Sequence, residues 1–135
     1  MMTRAGHTIT LLTDVRLITC IVQRGLGDII VNAAQEAGAQ GATIFYAKGS
    51  GVRERLGILG VAVEVEKEVV NIVVSSEQLE TVFNNIYLAG QLDTPGKGFM
   101  YVRKLEKAAT YIPEELVAQL EKLDRLDKQH REDSS

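Results

Sequence analysis

Two short segments carry the residue types that hold anions: Lys48-Gly49-Ser50-Gly51-Val52-Arg53-Glu54-Arg55 and Thr94-Pro95-Gly96-Lys97-Gly98. Glycine lets backbone N–H groups crowd around a negative charge, and a nearby Lys or Arg supplies the opposing one. A third glycine break, Gln23-Arg24-Gly25-Leu26-Gly27, adds Arg24. Neither of the first two segments is a Walker loop, since no Gly-Lys-Ser/Thr ends it and no evident helix follows Gly49-Ser50-Gly51. Taken alone, each reads better as an ordinary turn with solvated cations, and only their coincidence at one end would bring an anion pocket level with that reading. The question is whether the chain gathers them.

Other chemistry finds less support. His7 and His130 sit in opposite tails, so no paired-histidine metal site is expected, and the core holds no histidine to act as a base. Glu64, Glu66 and Glu68 alternate along one run and read as a solvated strand edge that resists sheet aggregation, ahead of a cation site. Tyr46, Tyr87, Tyr101 and Tyr111 are too scattered for a base-stacking platform. A formal charge of -3 and a pI near 5.4 argue against a nucleic-acid binder. The single cysteine, Cys20, lies in an apolar run and reads as buried and inert. No window approaches a membrane span and no signal-type apolar core follows Met1, so a cytoplasmic protein is expected.

The elements that must position the glycine segments follow from periodicity. Val15–Val22 reads as a central strand, and Leu26 to Ala37 as an amphipathic helix ended by Gly38. Ala42–Ala47 is a second strand. Ile58–Val74 reads as extended, but its apolar parity switches from Val61, Val63 and Val65 to Val70, Ile72 and Val74, which predicts a bulge or bend near 67–69. Ser75 or Ser76 is placed to cap a second helix carrying Leu79, Val82, Phe83, Ile86 and Tyr87, and Phe99–Leu105 is the last strand. Pro113 opens an amphipathic helix with Leu116, Val117, Leu120 and Leu123 aligned, fraying from Asp127; its apolar stripe is expected to dock on its own domain or a neighbouring subunit. The domain expectation is a leader over 1–14, a core over 15–112 and a helix with tail over 113–135. The order β-α-β-β-α-β is a ferredoxin-like α+β fold with an antiparallel sheet, plus a C-terminal helix. That topology opens the connections 23–27, 48–57 and 91–98 at one end of the sheet.

Over about residues 15–105 the chain resembles the PII signalling family. The resemblance is carried by Gln40-Gly41-Ala42-Thr43 entering the second strand, Lys48-Gly49-Ser50-Gly51 leaving it, Glu66-Lys67-Glu68 before Val70–Val74, and Ala89-Gly90-Gln91 leading to Pro95-Gly96-Lys97-Gly98. It implies a homotrimer with nucleotide sites between subunits, and a loop between the second and third strands that touches a partner, a membrane transporter or a metabolic enzyme. Carried over by position, Thr43 and the main chain near Val73 face an adenine. Gly49, Gly51 and Arg53 border the site, and Lys67, Gly96, Lys97 and Gly98 surround phosphates. No cofactor is required; the effector is ATP, ADP or AMP, or bicarbonate. Against the family pattern, Phe99 and Gln91 stand where lysines are common, late arginines are replaced around Ala108-Ala109-Thr110-Tyr111, and the partner loop is short. Two other readings stay open: a trimeric adaptor without nucleotide sensing, and a small ferredoxin-like isomerase.

Overall fold

A computed structural model describes residues 2–4, 7–49 and 65–133. Two compact units divide the chain, 14–106 on one hand and 1–13 with 107–135 on the other. In the second of these, β1 (Met2–Arg4) and β2 (His7–Ile9) form a hairpin, and β3 (Leu11–Leu12) pairs antiparallel with β8 (Ala108–Ala109). Its long helix, α3, runs Glu114–Asp133, through the polar stretch from 127 where fraying was expected. Glu114 and Glu115 in the first turn and His130 and Arg131 in the last complement the helix dipole. Leu116, Leu123 and Leu126 on this helix are exposed.

Residues 14–106 build the ferredoxin-like fold. The strands are β4 (Val15–Gln23), β5 (Thr43–Gly49), β6 (Val65–Ser75) and β7 (Gly98–Leu105), in the order β5-β6-β4-β7 with every neighbour antiparallel. Helices α1 (Gly27–Glu36) and α2 (Leu79–Ala89) cover one face. Alternation along the strands sends Ile18, Cys20, Val22, Val70, Ile72 and Val74 under the helices, where Ile30, Ala34, Val82 and Ile86 meet them, and all ten are at least 98% buried. Among the described residues of this unit, no helix lies on the opposite face. It displays Phe45, Val73, Phe99 and Tyr101, between 38% and 57% exposed, with Phe99 stacked on Tyr101 at a centroid distance of 6.0 Å.

The expected bulge at 67–69 is absent. Strand β6 pairs without interruption from Lys67 to Ser75 with β4, and from Val65 to Asn71 with β5. The parity does not switch; Glu66 and Glu68 share the helix-side face with Val70, Ile72 and Val74. A charged residue on the buried side made the pattern read as a break.

Both helices end in the same Schellman geometry. After α1, Ala39 N–H donates to Ala34 O and Gly38 N–H to Gln35 O; after α2, Leu92 N–H donates to Tyr87 O and Gln91 N–H to Leu88 O. The left-handed position is glycine in the first case (Gly38, φ 106°) and Gln91 in the second (φ 53°). Gln91→Gly is therefore expected to stabilise the protein by about 0.5–1 kcal/mol by relieving the left-handed cost, read as a higher midpoint in urea.

Cys20 is fully buried, and burial pushes its thiol up to about 12. The thiol should resist iodoacetamide in the native protein and react once urea unfolds it. Between about pH 9 and 12 the unfolded chain binds fewer protons than the folded one, so this group's contribution to stability is full below pH 9 and is lost as pH rises.

Candidate functional site

The antiparallel pairing brings the C-terminal ends of β4 and β5 and the N-terminal ends of β6 and β7 to one end of the sheet. Along that end a single row runs through Ala47, Lys67, Gln23 and Lys97. Lys67 pairs with Ala47 on one side and Gln23 on the other, and Gln23 N–H donates to Lys97 O at 2.8 Å. Of the connections expected at one end, 23–27, 48–57 and 91–98, the described residues put 23–27, 48–49 and the end of 91–98 there, the last two on opposite edges of the sheet; 50–57 lie outside the described residues. Gly49 ends edge strand β5 and Gly98 begins edge strand β7, three strand spacings across and three residues along, about 17 Å apart.

Two turns shape the rim. Thr94-Pro95-Gly96-Lys97 closes with Lys97 N–H on Thr94 O at 3.4 Å, proline leading and Gly96 at φ 83°. Gln23-Arg24-Gly25-Leu26 closes with Leu26 N–H on Gln23 O at 3.1 Å, with Gly25 at φ 94°. Gly98 follows at φ 142°, so close to β4 that a Cβ there would overlap the carbonyl oxygen of Ile21 and lie 2.7 Å from Val22 Cα. Only glycine fits. Gly49 is different, because a Cβ there would meet nothing nearer than Lys67 Cγ at 3.6 Å.

The 23–27 turn does not present its charges to an outside ligand. Its donors are aimed at Glu68, whose carboxylate accepts Gly25 N–H at 2.9 Å and Gly27 N–H at 2.7 Å. Glu68 is only 9% exposed and lies at the N-terminus of α1, where the helix dipole favours negative charge. Arg24 Nη1 donates to Glu66 Oε2 at 2.7 Å across an exposed ion pair. The reading of these glutamates as a solvated edge is corrected for Glu68, which is an internal counter-charge. The sequence signal was present in the glycine pair at 25 and 27. Its partner lies 41 to 43 residues further along, beyond the reach of local pattern. Glu68, Glu66 and Arg24 also line an open cleft of about 440 Å³ with Tyr46, Ala47 and Lys48.

The remaining site candidates fall into two groups. Gly49, Lys67, Gly96, Lys97 and Gly98 belong to the rim. Thr43 and Val73 do not: each is six residues from its rim neighbour on the same strand, Gly49 and Lys67, or about 20 Å along the strand. Thr43 pairs with Asn71 and Val73 with Leu17, both exposed on the uncovered face toward the other end. Gly51 and Arg53, like Arg55 and Glu64, lie outside the described residues. Phe99, at a position where the resemblance leads one to expect lysine, belongs to the apolar face. No described helix is long and apolar enough to cross a membrane.

A family model, nitrogen regulatory protein P-II, matches residues 15–115. Comparison with curated protein sequences gives no match. Among solved structures, the chain is similar to Arabidopsis thaliana PII bound to citrate, with a TM-score of 0.56 and 22% identity over 70% of this chain and 79% of that one. At that identity the likeness speaks to the fold, and it agrees with the βαββαβ order. With the family model spanning the whole four-stranded unit, the chain belongs to the PII family.

Proposed function

We propose that this protein is a non-enzymatic PII-like signalling protein that binds a small anionic effector, an adenine nucleotide, between copies in a homotrimer. It passes the binding event to a transporter or enzyme through the segment joining β5 to β6. The observation that carries the reading is the gathering of Gly49, Lys67 and the Gly96-Lys97-Gly98 turn at one end of a sheet that exposes Phe45, Val73, Phe99 and Tyr101 on one face. Cations and glycine amides attract phosphate, and an apolar sheet face gains free energy when a second copy covers it.

Division of the candidates into two distant groups adds the second half. Within one chain Val73 lies about 20 Å from Lys67 along β6, and Thr43, four residues along and one strand over, about 14 Å from it, spacings that support a ligand whose two ends are held by different copies. Coupling then requires that the effector prefer one state of the 50–64 segment.

A thermal-shift screen with AMP, ADP, ATP, bicarbonate and citrate tests the sensor reading, because a ligand of the folded state raises its stability by mass action. At least one nucleotide is expected to raise Tm, and an Arg53→Ala/Lys97→Ala double variant to lose that rise. No shift with any of the five would favour the adaptor reading, for which the internal pairing of Arg24 with Glu66 is the specific support.

A further inference from the structure

We infer that Glu68 is a positioning residue for the rim, holding the Gly96-Lys97-Gly98 turn in place without touching the ligand. The inference rests on the proposed anion site and assigns a role that the residue's place on β6 does not suggest by itself. The chain of contacts is short and continuous. Glu68 takes Gly25 N–H on Oε1 and Gly27 N–H on Oε2, one oxygen for each side of the turn. That turn is closed by Leu26 N–H on Gln23 O, and the N–H of the same Gln23 holds Lys97 O at 2.8 Å. Lys97 stands between the two left-handed glycines, Gly96 and Gly98, so its carbonyl is the point at which the turn is tied to the central strand.

The fit is made for this carboxylate. A Cβ on Gly27 would overlap Glu68 Oε2, so glycine is required for the approach. With the carboxylate in place, the Gly25, Leu26 and Gly27 amides are satisfied internally, and an external anion is left to the 94–98 turn. Glu68 in this way also sets which of two glycine turns serves a ligand. Without it, the first turn loses both its anchor and its selectivity, and a supporting shell loosened by an ångström is enough to weaken a site.

Glu68→Ala removes a CγH2–COO⁻ group, which acetate matches, and the vacated space opens on the cleft lined by Arg24, Tyr46 and Lys48. The test is calorimetry of ADP binding at a temperature where each variant is folded by circular dichroism. ADP affinity should fall about tenfold in Glu68→Ala, as expected for a displaced supporting group, and return toward wild type when acetate is added. Glu68→Gln, which keeps the shape should the alanine variant not fold, is expected to fall part of the way. A core variant of lowered stability, Ile86→Val, should bind ADP as wild type does, so a fall confined to the Glu68 variants separates positioning from general destabilisation.

Amide NMR shifts at Gly96, Lys97 and Gly98 in the ligand-free protein give a readout that needs no effector; they should move in Glu68→Gln and stay put in Ile86→Val. Unmoved amide shifts, or wild-type ADP affinity in folded Glu68→Ala and Glu68→Gln, would overturn the inference while leaving the anion site standing. If wild-type protein binds no ADP and the shifts still move, the positioning contact stands and the effector reading falls.

Discussion

Gly98→Ala is expected to cost about 4 kcal/mol of stability, the sum of a strained left-handed residue and overpacking against atoms that cannot yield. The obstructing atoms are the Ile21 carbonyl and Val22 Cα, both backbone of the central strand, so no side-chain rotation relieves them. Relief has to come from β7 moving off β4, which would break the Val22–Gly98 and Ile21–Phe99 pairings at the rim. Since a domain of this size has about 5–15 kcal/mol in total, the variant should unfold at markedly lower urea. Gly49→Ala is the internal comparison. Its Cβ has room, so its midpoint should stay within about 0.5 kcal/mol of wild type. A loss below about 1 kcal/mol for Gly98→Ala would mean that the tight approach to β4 is wrong.

The second large effect concerns the bare sheet face. If the proposed trimer forms through this face, light scattering should give wild type near 44 kDa, three chains of 14.8 kDa, and Phe45→Glu as monomers. Phe45 is 46% exposed in one chain, beside Val69 on the neighbouring strand, so the isolated fold tolerates a carboxylate there. Covered by another copy, the same carboxylate would be desolvated without a partner, at a cost of about 3 kcal/mol or more per copy. The circular dichroism spectrum should not change. An unaltered trimer would show that another surface holds the copies together.

Much of the fold was legible because the apolar spacing is regular. The strand at 15–22 and the helix stopped by Gly38 lie within a residue or two of their expected positions, while the helix over 79–89 starts from Gln78, two to three residues after the serines expected to cap it. From that order alone the gathering of glycine segments at one end of the sheet followed. The rest was hidden for identifiable reasons. Glu68 sits on the buried side of β6 and so broke the apolar alternation that reveals a strand. Its compensating donors come from a turn more than 40 residues away. Arg24 looked like a ligand cation because sequence shows a charge and not its partner, Glu66. The resemblance gave Thr43, Val73 and the rim residues to sites between subunits, and within one chain strand geometry separates Thr43 and Val73 from Lys67 by about 14 and 20 Å. The expectations at Gly51 and Arg53 fall outside the described residues.

The same separation supplies the most direct measurement. Thr43→Tyr should block the adenine side and Lys97→Ala should weaken the phosphate side, each abolishing tight nucleotide binding in its own trimer. Unfolding and refolding the two variants together in equal amounts forms mixed trimers. In a closed three-fold ring with head-to-tail contacts, about one quarter of the subunit boundaries then join an intact Lys97 side to an intact Thr43 side. Calorimetry of the mixture should recover wild-type ADP affinity at about that fraction of sites. Recovery of none, with wild-type protein binding ADP in the same buffer, would contradict a site shared between copies.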